Sequence, residues 1–308
     1  MTDTNATSQP TRILVATDFS SVSDAALVSA SGMAKHYGAR LGVSHVAPGV
    51  GAIHPAFPSL AKREIVELGE IERRATEAVL SHTKQVIGLG EKDLDVLVAA
   101  TTGRNEAETI AEQAKDYKAD LVVVGSHGRT GLSRAWLGSV AEKVVRSAPC
   151  DVLVARPVKD KSGPVLASVD LGESSGAVLR AAAREAAHRK VDLIALFALD
   201  APNDVLPYGM LGPFGIYVAP PDPQGHDELR EAAEKTLRAA MEAADVRAQV
   251  TIVDGRATQE IVTLAENKGA SLIVCATHGR KGISRLALGS VAEAVVRHSP
   301  CSVLVVRS

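Results

Sequence analysis

Long apolar runs are missing from this chain. No stretch approaches the ~20 consecutive apolar residues that cross a bilayer. Met1 to Pro10 is polar and has no signal-peptide core. No membrane insertion is expected, and a cytoplasmic location is. Cysteine is scarce as well. Three in 308 residues cannot build a disulfide framework. No CxxC or His/Cys pair stands at ligand spacing, so no structural metal is expected. Cys150 and Cys301 stand at the heads of apolar runs and Cys275 inside one, where buried small thiols are expected. An excess of charge is also lacking: a formal net charge of −2 argues against a dedicated nucleic-acid binder.

What remains is globular. Apolar residues at 46% against 23% charged exclude a disordered chain, and the length suits two domains better than one core. The main feature is a stretch that occurs twice. Gly125-Ser-His-Gly128 is followed after nine residues by Gly138-Ser139 and closes in Ala148-Pro-Cys150. From Gly128 to Gly279 the offset is 151 residues, and there Ala276-Thr-His-Gly279 leads to Gly289-Ser290 and Ser299-Pro-Cys301. Residues 121–156 and 272–307 are identical, without a gap, at roughly two-thirds of positions, which marks an internal duplication.

Around that stretch, apolar runs alternate with amphipathic ones. Strands are expected at Ile13–Ala16, Leu41–Val46, Leu94–Ala99, from Leu121 and at Asp151–Arg156. Helices are expected from Ser21 or Ser23 to Tyr37, Leu60–Ile87, Glu106–Tyr117 and from Ser139. After a charged linker the pattern restarts at Val165. Such alternation predicts an α/β fold, a parallel sheet covered by helices on both faces. The expected division is a tail at 1–10, domains at 11–157 and 164–308, and a linker at 158–163.

A strand that runs into glycines and then a helix start is the geometry that holds phosphate. Gly128 and its neighbours can take positive φ and bring N–H groups close to an anion. Gly138-Ser139 sits where the next helix begins, so its free N–H groups face the same place. Ser139 can donate to a phosphate or cap the helix. Arg129 and Arg134 add positive charge. Asp18 and Asp170 end equivalent strands, where a carboxylate can accept from ribose hydroxyls or hold a metal beside phosphates, or simply make an Asx turn. His127 and His278 recur inside the loop without a partner at recoverable spacing.

These motifs resemble the tandem arrangement of the universal stress protein family, over nearly the whole chain. The family's signature (glycine, two residues, glycine, nine residues, glycine, then serine or threonine) is met by Gly125, Gly128, Gly138 and Ser139. The resemblance implies two Rossmann-like domains of the adenine nucleotide alpha hydrolase type, each a five-stranded parallel sheet of order 3-2-1-4-5. It implies ATP at the strand ends, with Asp18 at the ribose or at Mg and Val46 against the adenine. Gly125, Ser126, His127, Gly128, Arg129, Gly138, Ser139 and Val140 would surround the phosphates. The fifth strands would pair antiparallel and join the halves as an internal pseudo-dimer, with a further homodimer open.

The second copy departs from this pattern. Its counterpart set is Asp170, Thr277, Gly279, Gly289, Ser290 and Val291, but Ala276 replaces the first glycine and Phe197-Ala198-Leu199 replaces His45-Val46-Ala47. If that position needs positive φ, alanine costs roughly 1–2 kcal/mol. If the ligand must approach the Cα, the methyl blocks it. Nucleotide is therefore expected mainly in the first half. The stretch 200–225, with Tyr208, Met210, Phe214 and Tyr217, is either a lid or partner-binding segment, or a loop folded over its own sheet edge. Three functions stay open: an ATP-dependent sensor or adaptor with a protein partner, a slow Mg-dependent ATPase or nucleotidyl transferase using Asp18, and a nucleotide-free scaffold.

Overall fold

The computed structural model describes residues 9–48, 58–101, 105–127, 137–157, 162–200, 223–277 and 288–307. Most of the expected tail, Gly128, Arg129, Arg134, His278, Gly279 and the aromatic-bearing stretch at 201–222 lie outside the described residues.

The first half runs β1 (Arg12–Ala16), α1 (Ser21–Tyr37), β2 (Arg40–Pro48), α2 (Pro58–Ile87), β3 (Asp95–Thr101), α3 (Glu106–Asp116), β4 (Leu121–Gly125), α4 (Ser139–Ser147) and β5 (Asp151–Ala155). The second repeats it as β6 (Val165–Ser168), α5 (Ser175–Arg189), β7 (Leu193–Leu199), α6 (Pro223–Ala243), β8 (Gln249–Asp254), α7 (Ala257–Lys268), β9 (Leu272–Ala276), α8 (Ser290–His298) and β10 (Ser302–Val306). The strands form one ten-stranded sheet of order β3-β2-β1-β4-β5-β10-β9-β6-β7-β8. Within each half all pairings are parallel, in the expected 3-2-1-4-5 order. At the seam β5 meets β10 antiparallel, with Leu153 opposite Leu304 between two valine pairs.

Period-2 alternation sends neighbouring strand residues to opposite faces, and each face carries its own core. Ile13, Val15 and Leu153 pack with α1, α2, α5 and α6 on one face. Leu14, Val152 and Val154 pack with α3, α4, α7 and α8 on the other. Both cores run across the seam without a break, because Leu304 continues the first and Val303 and Val305 the second. Since both sheet faces are covered, the strands read as continuous apolar runs.

Helix ends follow local chemistry, with one correction. The cap of α1 is Ser20, not Ser21 or Ser23. Ser20 is extended (φ −82°, ψ 157°) and its Oγ accepts from the Ser23 N–H. Gly38 ends α1 as expected, in the left-handed region at φ 66°. Of the cysteines, Cys275 and Cys301 are buried and Cys150 is half-buried. Burial pushes the thiols of Cys150 and Cys275 up to about 12, which leaves both as inert protonated groups at neutral pH.

Candidate functional site

In a sheet of order 3-2-1-4-5 the chain leaves β1 in both directions, toward β2 on one side and β4 on the other. A crevice opens where the carboxyl ends of β1 and β4 diverge. Asp18 and Gly125 stand at its two lips. The cleft there measures about 220 Å³ and is lined by Asp18, Val46, Gly125, His127, Gly138, Ser139 and Val140 from the expected set. Ser126 sits directly behind, fully buried, with its Oγ 3.0 Å from His127 Nδ1.

The amides at this end are sorted into bound and open ones. Ser126 N–H donates across to Ala155 O (3.0 Å), and Gly138 N–H donates to Ser126 O (2.7 Å). These two bonds pin the start and end of the glycine loop to each other and to β5. The N–H of Gly138 is therefore spoken for. Among the described residues, the donors without an acceptor belong to the next turn. Gly138 is the N-cap residue of α4 with extended backbone (φ −67°, ψ 145°) and supplies no side-chain cap. The first-turn N–H groups of Ser139, Val140 and Ala141 have no carbonyl four residues back within the helix, and all three residues border the cleft. Ser139 is the first helical residue and is exposed, so its hydroxyl does not cap the helix. That expectation is corrected.

Asp18 makes the Asx turn that was one of its two readings. Its Oδ1 accepts from Ser20 N–H (3.1 Å) and Ser20 Oγ (2.6 Å). The turn forces Phe19 into the left-handed region at φ 63°, and Leu171 does the same after Asp170 at φ 58°. A bulky residue held there costs roughly 1–2 kcal/mol, and its recurrence at both strand ends marks them as built features. Phe19 is braced by His45, whose ring centre is 4.5 Å away, and by an edge contact to His82 at 5.2 Å.

Several cleft residues escaped the sequence reading: Thr17, Ser23, Ser44, Glu106 and Ile110. Thr17 Oγ1 and Ser23 Oγ lie 3.1 Å apart, and Ser44 Oγ donates to Gln113 Oε1 at 2.6 Å. The available signal was comparative, a polar residue where the duplicate has an apolar one. Register makes the equivalences secure. Ala16 pairs with Ser44 in the first half, and Ser168 with Leu196 in the second. Thr17 thus corresponds to Val169 and Ser44 to Leu196, while Glu106 and Ala257 are matched as the first residues of α3 and α7. Leu196 is fully buried and Val169 nearly so. Burial is the same in both halves, Ser44 like Leu196 and Thr17 like Val169; leucine is bulkier than serine, whereas valine matches threonine in shape and removes only its hydroxyl.

Neither Gly125 nor Ala276 has positive φ, so the conformational cost considered for alanine does not arise. What Gly125 provides is clearance: a Cβ there would lie 3.1 Å from Val22 Cγ1 and 3.2 Å from the Val22 carbonyl. In the second half, the residue corresponding to Val22 is Ser174. Asp170 makes the same backbone turn, Oδ1 accepting from Gly172 N–H at 3.0 Å, with Ser175 Oγ at 3.4 Å where Asp18 has Ser20 Oγ at 2.6 Å. The helix start, however, is retained. Gly289 precedes Ser290 and Val291 with no side-chain cap, and its N–H donates to Thr277 O at 2.7 Å. Gly128, Arg129 and Gly279 belong to the loop portions outside the described residues.

No group of three or more His, Cys, Asp or Glu side chains suited to a metal occurs among the described residues. A Mg ion here would be held by Asp18 together with the oxygens of its ligand. Among the described residues, no helix is long and apolar enough to cross a membrane.

The family model described as the universal stress protein family matches residues 10–156 and again 162–307. A universal stress protein of Mycolicibacterium smegmatis is 30% identical over 302 residues, covering 96% of each chain. A crystal structure of a putative universal stress protein from Pseudomonas aeruginosa superposes with a TM-score of 0.66 at 18% identity, covering 97% of this chain and 93% of that one. One from Archaeoglobus fulgidus gives 0.64 at 19%, covering 97% and 99%.

Proposed function

From the chain's membership of the universal stress protein family, we propose that its first half is a receiver for an adenine nucleotide, ATP with Mg. The second half would keep the fold and bind such a ligand weakly or not at all. The observation that carries this is the uncapped first turn of α4 opening onto the same cleft as Asp18. Three oriented N–H groups at a helix start favour a phosphate chain. Asp18 at the opposite lip suits ribose hydroxyls or a phosphate-borne cation, and Val46 offers an apolar wall to the base. The polar floor of Thr17 and Ser44 becomes apolar Val169 and Leu196 in the duplicate, where the leucine adds bulk and the valine removes a hydroxyl.

The working units are residues 11–157 and 164–308, joined by 158–163, in a cytoplasmic protein. Occupancy would change its affinity for a protein partner, which requires unequal nucleotide binding in two states. Slow hydrolysis is the second reading, favoured by Asp18 and Glu106 both bordering the cleft, since a cation on a polyphosphate draws carboxylate donors.

Calorimetric titration of the full chain with ATP and excess MgCl₂ tests the proposal. The expected stoichiometry is one per chain, with Asp18→Ala weakening binding about tenfold. Two equally tight sites, or none, would sink it. Phosphate release measured on the same sample separates receiver from enzyme: a rate that is fast and abolished by Asp18→Ala would reassign the protein as an ATPase.

A further inference from the structure

The helix whose first turn faces the cleft ends at the seam, and there it is held by the other half of the chain. Arg307, just past β10, reaches α4 and donates from one guanidinium nitrogen to Val145 O (2.8 Å) and Arg146 O (2.7 Å). These are last-turn carbonyls with no intrahelical donor, and a cation is favoured at that end. Its own backbone N–H is fixed by Asp151 Oδ1 at 2.9 Å. The arrangement is repeated by the local two-fold: Arg156, just past β5, donates to Val296 O (3.0 Å) and Arg297 O (3.1 Å) at the end of α8, and its N–H is held by Ser302 Oγ.

A second set of crossings ties the two helices side to side. Arg146 pairs with Glu293 at 2.8 Å and Arg297 with Glu142 at 3.2 Å, while each arginine also meets the glutamate one turn back on its own helix. From the clamped Arg146 to Ser139 at the cleft, α4 spans 146 − 139 = 7 residue steps, roughly 10 Å at 1.5 Å per residue. A helix that short moves as a rod, so a shift at its last turn is felt at its first.

We propose that Arg307 is a positioning residue for the first half's nucleotide cleft. Contributed by the second half, it sets where the N–H groups of Ser139, Val140 and Ala141 point. This rests on the nucleotide reading above. Arg156 performs the same mechanical task for α8, whose neighbouring floor is filled by Leu196. The two arginines therefore have matched structural roles and unmatched consequences for binding.

The test uses the full chain and its mirrored variants, Arg307→Gln and Arg156→Gln, titrated with ATP and excess MgCl₂. Thermal midpoints are expected to fall by similar amounts in both. Only Arg307→Gln is expected to weaken ATP binding, about fivefold or more, with Arg156→Gln within twofold of the parent. Arg307→Lys keeps the charge but not the forked geometry. It is expected to bind two- to fourfold more weakly, and it carries the comparison if Arg307→Gln does not fold. Amide hydrogen exchange without nucleotide reads the linkage directly. Arg307→Gln should speed exchange at Glu142, whose N–H closes the first turn of α4 on Gly138 O, and Arg156→Gln at Glu293, whose N–H closes that of α8 on Gly289 O.

Equal weakening by the two glutamine variants, or a parent-like affinity in the Arg307 variants, overturns the positioning role while leaving the nucleotide site intact. A parent chain that takes up no ATP removes the nucleotide reading, and the positioning role with it.

Discussion

The two halves share a fold and diverge in what they leave open. At the helix-start end they are nearly superimposable: Gly138 and Gly289 are uncapped N-cap residues with matching backbone angles, each tied by a 2.7 Å bond to the residue after β4 or β9. At the opposite end Thr17, Ser44 and Glu106 give way to Val169, Leu196 and Ala257. The lesson is that a loop signature and a usable cleft are separate properties. The signature records how backbone amides are arranged. The cleft depends on which side chains fill the sheet's carboxyl edge, and those come from strands far away in sequence.

The largest expected contrast lies at the seam, where Asp151 corresponds to Ser302. Burial pushes the Asp151 carboxyl up to about 6, against the opposing pull of the Arg307 backbone N–H and of Arg184 and Arg307 nearby, with Asp120 adding to the rise. A carboxyl raised on folding favours the protonated native state. Its stabilising share is full below the unfolded value near 4 and is lost as pH rises through about 6. Asp151→Asn should therefore stabilise the chain at pH 8 by up to about 3 kcal/mol, with the gain vanishing near pH 4. Urea unfolding at the two pH values checks this. A gain that is equal at both would refute it.

Next in size is an exchange of cleft floors. Thr17→Val with Ser44→Leu copies the second half into the first and is expected to weaken ATP binding about a hundredfold, roughly 2.7 kcal/mol, by calorimetry. Retained affinity would show that the floor does not decide the difference between the halves. Smaller again is the Gly125 contact. Gly125→Ala should cost about 1–2 kcal/mol by crowding Val22. Adding Val22→Ser, which recreates the Ser174 situation, should recover part of that in a double-mutant cycle; strict additivity would disprove the coupling. Smallest is the cap. Ser20→Ala should lose about 1 kcal/mol, whereas Ser174, which makes no cap bond, should lose only a few tenths when replaced. Equal thermal shifts would erase that distinction.

Much of this architecture was legible in the residues. Runs such as Leu121-Val-Val-Val124 have no polar alternation, so a strand buried on both faces was the economical reading, and the duplication fixed the element order twice. Boundaries moved where side-chain hydrogen bonding decides them. Ser20 caps α1 because the Asp18 turn has already redirected the chain, which spacing alone does not reveal. The cleft was half legible. Asp18, Gly125 and Gly138 announce themselves by position, whereas Thr17 and Ser44 look like ordinary strand residues until register sets them against Val169 and Leu196. Of the two reasons considered for Gly125, the left-handed backbone does not apply. The glycine gives clearance beside Val22 rather than access to the left-handed region, because contacts across a fold are not written in local sequence. Arg156 and Arg307 carried no signal at all, since each acts on a helix roughly 140 and 160 residues upstream or downstream of it.

The antiparallel β5–β10 pairing has a consequence for how such a molecule can evolve. Two separate copies meeting edge to edge must be identical, so any change at one site is imposed on both. Here the partners are one polypeptide. They stay paired at any dilution, and each is free to drift alone. One copy can surrender its cleft to packing while still lending an arginine to its sibling, a division of labour that symmetric association forbids.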